Sequence, residues 1–548
     1  MKSILFFLTA LLILTSCAPE KISADLLVKN ATIYTVNQNF DTANAFVIHD
    51  GKIAEVGKKP ELELKYAIAE TYDAKGATIV PGLIDAHAHL YNLGVTRQQV
   101  DLVGTTSFEE VLERVKDFQN EKNLTVIKGR GWDQNDWEVK EFPTNVALDS
   151  LFPDIPVVLT RIDGHAMIAN SKALELAGIT NITMVKGGEV VLDSENKLTG
   201  ILIDTPMGMV YRALPAPTQT FSVAALKEAE KICLELGLTT VNDAGLSRDV
   251  IELIDSLQQA EALKIKVYAM VSNSEKNLDY FLKKGVIKTD RLTVRSVKVY
   301  ADGALGSRGA AMRKEYSDKP GHFGAMITPA EDLELLANRL ARAGYQMNTH
   351  AIGDSANISV LRAYKKALEN YPDARWKVEH AQVVSMTDFD IFSKNIIPSI
   401  QPTHATSDMY WAEDRVGEKR IKGAYAYKRL LDIAGIVVLG TDFPVERVNP
   451  MHTFYAAVAR KDLKNYPEGG FRMEDALSRE ETLKGMTTWA AYSNFEEAEK
   501  GSIEKGKAAD FTVLDRDIMT VPVDSIPNTK VLATFINGKK VYARKDKE

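Results

Sequence analysis

Cysteine is nearly absent from this chain: Cys17 and Cys233 are the only two among 548 residues. A disulfide framework is excluded, and no thiolate cluster is available for a structural metal site. Stability must come from a core, which 45% apolar side chains can build. Long basic tracts are also missing. The 67 lysines and arginines are scattered among 74 acids, for a net charge of -7, which argues against a nucleic-acid partner. The apolar run from Ile4 to Leu14 is too short to span a bilayer as a resident helix.

That run follows Met1-Lys2 and ends in Leu14-Thr15-Ser16-Cys17 before turning abruptly polar at Pro19-Glu20-Lys21. It reads as a removable leader over residues 1–17, not as fold. Its end resembles a bacterial lipobox. The resemblance makes Cys17 a lipidation site and the protein an exported, lipid-anchored one in the cell envelope, a plain secretory signal being the alternative. Cys233 falls in the amphipathic stretch Ala224 to Leu236, where a lone cysteine serves as an apolar filler.

From residue 24 to 80 the chain is a series of short strand-like runs broken by turns such as Asp50-Gly51. Residues 500–548 have the same texture. Neither end has enough strands to stand alone, so the two ends are expected to pair into one β-sandwich around a domain spanning 81–499. That middle alternates short apolar runs with longer helical patterns, the mark of βα units. The expected strands are Thr78–Ile84, Thr239–Asn242, Lys266–Met270, Ser296–Tyr300, Gln346–Thr349, Trp376–Glu379, Ile397–Gln401 and Ile436–Gly440. They make the eight of a TIM-type (β/α)8 barrel, an α/β fold. The stretch from about 91 to 236 is too long for one crossover and is expected to be an insertion roofing the barrel mouth.

His87 and His89 follow the apolar Leu83-Ile84, two apart, so both imidazoles face the same side of a strand and can reach one metal. His350, His380 and Asp442 each close a predicted strand, at the end where barrels build active sites. For any one of them the plain alternative is a helix cap. Five such groups at strand ends, four of them drawn from only nine histidines, favour a shared divalent cation such as Zn²⁺.

In this order, His87-Ala88-His89, His350, His380 and Asp442 resemble the amidohydrolase superfamily. The phrases Lys298-Val299-Tyr300-Ala301-Asp302-Gly303-Ala304-Leu305-Gly306-Ser307-Arg308, His350-Ala351-Ile352-Gly353-Asp354 and Leu439-Gly440-Thr441-Asp442 look like its amidohydrolase-3 branch, which includes N-substituted formamide deformylase. The resemblance implies that Lys298 is carboxylated and bridges two ions. A lysine inside an apolar strand is in any case costly to bury unpaired, and Asp302 or Asp85 is its alternative partner. A metal-activated water with Asp442 as general base and then acid would cleave a C–N bond in a small amide, N-formyl or cyclic amide substrate.

Further positions are weaker. Trp132 and Asp133, and His165 in Arg161-Ile162-Asp163-Gly164-His165, look like the branch's pocket lining, with structural hydrogen bonding as the alternative for His165. Asp302 is taken as a substrate contact. Arg308 is suited either to a substrate carboxylate or to a surface salt bridge, and His404 to an oxyanion or substrate contact. The rival functions are a one-metal deaminase-type aminohydrolase with Lys298 unmodified, and an inactive solute-binding lipoprotein. Self-association into a homo-oligomer is left open.

Overall fold

A computed structural model describes residues 21–185 and 187–545. Cys17 and the leader lie outside the described residues. Among the described residues, no helix is long and apolar enough to cross a membrane.

The two ends of the chain share one sheet. Its strand order is Lys539–Ala543, Val531–Ile536, Phe511–Leu514, Thr78–Pro81, Ile22–Tyr34, Thr42–His49 and Lys52–Gly57, with Tyr66–Asp73 also paired to Ile22–Tyr34. The join is antiparallel, Thr512 opposite Val80 and Phe511 opposite Pro81. Phe46 and Phe511 stand on strands three positions apart, yet their ring centroids are 5.1 Å apart. Strands spaced by about 4.8 Å permit this only if the sheet bends over onto itself. Its closed inner face buries Val28, Ile33, Phe46, Ile79, Phe511 and Phe535. The two layers of the expected sandwich are therefore two halves of one sheet, joined by continuous hydrogen bonding.

Between the ends runs the barrel: β1 (Leu83–Ala88), β2 (Leu238–Leu246), β3 (Lys266–Ser272), β4 (Leu292–Tyr300), β5 (Gln346–Ala351), β6 (Trp376–His380), β7 (Ile396–Ile400) and β8 (Val438–Leu439). All neighbours from β1 to β8 pair parallel in this order. The ring closes just past the strand ends, where Asp442 N–H donates to His87 O and His89 N–H to Phe443 O, both at 2.8 Å. Gly440 permits that approach, because a Cβ there would lie 2.5 Å from His87 N. The expected first strand, Thr78–Ile84, is two strands in different sheets. The chain passes between them at Gly82, where a Cβ would lie 2.3 Å from Thr239 Oγ1.

The inserted segment forms its own six-stranded sheet, in the order Gly188–Leu192, Leu198–Asp204, Ala166–Ala169, Val157–Arg161, Ile127–Trp132 and Val100–Asp101. Its core gathers Val111, Val115, Trp132, Trp137, Leu148 and Phe152. The insert is shorter than expected, because the helix Gln219–Glu235 packs on Leu90–Thr96 at the barrel wall. Gly94 sits so close that a Cβ would fall 2.0 Å from Ala225 O.

Candidate metal centre

Parallel register sets the polar groups at one level. Lys298 is opposite Asn348, Tyr300 opposite His350, and His350 opposite Glu379. Along β6, Lys377 and Glu379 alternate into the lumen, and both are fully buried. His380 would then point outward, but its backbone is left-handed, with φ of 72°. That turn brings its ring to 4.5 Å from His350 and 5.0 Å from His87, centroid to centroid. Asp442 is left-handed too, with φ of 63°. Such backbone costs roughly 1–3 kcal/mol per residue and persists where surrounding structure imposes it.

At the centre is His87, with no exposed surface. Its Nδ1 is 2.6 Å from Glu379 Oε2, and its Nε2 is 3.1 Å from Lys298 Nζ. Burial alone would raise the Glu379 carboxyl, but His87, Lys298 and Lys377 hold it down at about 2. An ionised carboxylate only accepts, so His87 Nδ1 carries the proton and Nε2 presents a lone pair to the centre. Burial also keeps His87 below its ordinary pKa, and the charge of Lys298 adds to that effect.

Asp442 joins two groups of candidate ligands, His87 with His89 and His380 with His404, each set having its donor atoms within 4.8 Å. Its Oδ1 is 3.1 Å from His89 Nε2 and 3.6 Å from His87 Nε2, and its Oδ2 is 3.2 Å from His404 Nε2. Burial works against ionisation, yet the bonds to His404 and His89 hold the carboxyl well below the usual range. Asp85 ties the strand ends together, accepting Thr441 Oγ1 at 2.7 Å and the backbone N–H of Thr441 and His87. His404 Nδ1 lies 3.2 Å from Glu446 Oε1.

Do these residues suit a cation? Buried His350 Nε2 and His380 Nδ1 have no hydrogen-bond partner, and Asp442 Oδ1 has beside it only the imidazoles of His89 and His87. Orphaned polar atoms are rare in folded interiors, and nitrogen and oxygen donors of this kind suit Zn²⁺ or a similar ion. Lys298 is 1% exposed, and burial lowers its pKa. It meets neither of the partners weighed from sequence. Asp85 is engaged with Thr441, and Asp302 accepts N–H groups from Ala311, Ile352 and Gly353 at 2.8–3.0 Å.

The centre opens into a cavity of about 390 Å³ lined by Tyr300, Leu305, Gly306, Ile352, Asp408, Trp411 and Glu446 beside the groups already named. Several expected contacts lie elsewhere. Asp302, expected as a substrate contact, is fully buried, does not line the cavity, and fastens the 303–312 loop to the end of β5. Arg308 is paired with Asp318 at 2.8 Å, the surface salt bridge of the two options. Trp132 is 1% exposed inside the insert's core, where Nε1 donates to Leu159 O, and Asp133 pairs with Arg161. The His165 side chain is 75% exposed and bonded to Asp204. None of the insert's residues lines this cavity among the described residues.

Sequence reasoning missed Glu379, Asp408 and Glu446. Two signals were available: the charged alternation Lys377-x-Glu379 in an apolar strand, and the i,i+4 spacing of His404 and Asp408 on the helix Pro402–Asp408.

The chain is 32% identical to the putative amidohydrolase YtcJ of Bacillus subtilis over 526 residues, 93% of this chain and 98% of that protein. It is 26% identical to the N-substituted formamide deformylase of Arthrobacter pascens over 547 residues, 95% and 98% of the two chains. A solved metal-dependent hydrolase from Pyrococcus horikoshii superposes with a TM-score of 0.76 at 29% identity, covering 91% of this chain and 99% of that one. A family model described as the amidohydrolase family matches residues 70–542. With that match running over far more than half of its length, this chain belongs to the amidohydrolase family.

Proposed function

We propose that this protein hydrolyses a non-peptide C–N bond, in an amide, N-formyl or cyclic amide, to give a carboxylic acid and an amine. The observation that carries this reading is that His87, His89 and Asp442 hold donor atoms within 4.8 Å of one another, with His380 and then His350 packed beside them and His350 Nε2 and His380 Nδ1 unpartnered. His87, His89, His350, His380 and Asp442 would hold the cation, Zn²⁺ by donor chemistry. When bound, a divalent cation lowers the pKa of its water towards about 7 and polarises a carbonyl oxygen.

The chain's own groups do the rest. Glu379 fixes the His87 tautomer and so the direction of its Nε2 lone pair. Asp442 is ionised and accepts the proton of the attacking water, then delivers it to the leaving nitrogen, so that one proton moves from water to amine. His404 anchors Asp442 Oδ2, which turns Oδ1 towards His89 and His87, the side from which that proton would come. Lys298 carries a carboxyl group formed with CO₂, which puts oxygen donors in place of a buried amine that meets His87 but no carboxylate among the described residues. The deformylase name of the Arthrobacter relative supports N-formyl compounds as a first panel.

The test is Asp442→Ala. Hydrolysis of N-formyl and N-acyl amides should fall by about 10²–10⁴-fold with the fold retained by circular dichroism. Full activity in a folded variant contradicts the assignment. Metal analysis then counts the ions, two per chain agreeing with a carboxylated Lys298 and one with an unmodified lysine.

A further inference from the structure

The outer cavity has an uneven charge inventory. Its basic lining side chains are Lys298, buried at the floor, and the histidines of the centre; no arginine lines it among the described residues. Arg308 and Arg415 both pair with Asp318, and the Arg415 guanidinium also lies 5.5 Å from the centroid of the Trp411 ring. Three carboxylates line the same space. Two share one imidazole, since His404 bridges Asp442 and Glu446 at 3.2 Å each.

Asp408 is the third, and it has no ion-pair partner among the described residues. Neutral donors hold its Oδ2, with Tyr425 OH at 2.8 Å and Gln382 Nε2 at 3.2 Å. Its Oδ1 has only the Ser407 hydroxyl, at 3.5 Å. Burial raises its carboxyl above the ordinary value, with the nearby His404 charge opposing. Beside it stands Trp411, the large flat side chain of the wall. A Cβ on Gly306 would lie 3.2 Å from Trp411 Cη2, so the glycine lets the ring settle against the 303–309 loop. A carboxylate oxygen without an ion pair, in a cavity walled by an indole, suits a cationic nitrogen: Asp408 supplies the charge-assisted hydrogen bond, and Trp411, whose ring quadrupole already meets Arg415, supplies the flat wall beside it.

We propose that Asp408 and Trp411 form a subsite for an ammonium or amidinium group, so that the amide hydrolysed here carries a positive charge or none at its far end and not a carboxylate. This rests on the hydrolase reading above for the word substrate; the binding preference stands without it. A carboxylate-bearing amide would meet Asp408 and Glu446, with no arginine lining the cavity among the described residues to receive it.

Three formanilides serve as probes: unsubstituted, 4-aminomethyl (cationic) and 4-carboxy (anionic). Each is titrated calorimetrically into zinc-loaded protein, and formate release is followed in parallel. The cationic probe should bind about tenfold more tightly than the neutral one, a difference of about 1.4 kcal/mol, with the anionic probe weakest. In Asp408→Asn, whose amide oxygen can still accept from Tyr425 and Gln382, the cationic preference should largely vanish. Equal binding of the three, tightest binding of the anion, or a preference that survives Asp408→Asn would overturn the subsite. The wild-type order is decisive even if the variant fails to fold. The stated order without formate release from any probe would count against the hydrolase reading and leave the subsite standing.

Discussion

Replacing Glu379 by Gln tests the deepest layer of the centre. The carboxylate lies 2.6 Å from His87 Nδ1 and both residues have zero exposure, so solvent offers no substitute partner. A hydrogen bond to a charged group contributes about 1.5–3 kcal/mol. At about 1.4 kcal/mol per decade, its loss predicts a fall in metal affinity of about 10–100-fold. Glutamine is isosteric, so packing is kept, but its amide can donate as well as accept and no longer dictates the tautomer. The lumen also keeps Lys298 and Lys377 without the carboxylate that faces them, so thermal stability should drop. Zinc affinity is measured by competition with a chromophoric chelator, with circular dichroism as the control for folding. A folded Glu379→Gln protein with wild-type zinc affinity would refute the orienting role.

Other perturbations reach different parts of the account. Gly440→Ala places a Cβ 2.5 Å from His87 N and 2.7 Å from His87 O, atoms of a strand that cannot step aside. It should cost about 1–3 kcal/mol and remove activity by shifting Asp442, whereas Gly208→Ala, facing only the Arg212 side chain, should be neutral. Glu496, bonded to Lys288 at 3.0 Å and Lys500 at 2.9 Å, is held at about 2 by those charges against burial. Its folded pKa is below the ordinary value of about 4.3, so its contribution is complete above that pH and lost as pH falls towards 2. Glu496→Gln should therefore lower the melting temperature at pH 7 and converge with wild type in acid. Burial keeps the Lys500 ammonium below its own usual value, so the pair's net gain is smaller than Glu496 alone indicates. Cys17→Ala should move the protein from the membrane fraction to the soluble fraction if the leader ends in a lipidated cysteine.

What could be read from the chain alone was local. His87 and His89 announced themselves by strand spacing, and Lys298 by being charged inside Val297-Lys298-Val299. The barrel followed from alternating patterns, because parallel strands buried on both faces read as short apolar runs. What escaped depends on backbone exceptions and distant pairings. Glu379 and His380 are adjacent, and ordinary alternation would send only one of them inward; the positive φ at His380 brings in both. Arg308 meets Asp318 across a loop, and His165 meets Asp204 across two strands of the insert, so neither partner is signalled by spacing. Thr78–Pro81 and Leu83–Ala88 form one continuous apolar text, and only the close approach of Thr239 to Gly82 reveals that the chain changes sheets there.

Anomalous X-ray scattering from zinc-loaded crystals tests the centre most directly. The account predicts a peak within bonding distance of His87, His89 and Asp442, with His350 and His380 coordinating in the same cavity. A fully loaded protein whose zinc peak lies away from these side chains would contradict it.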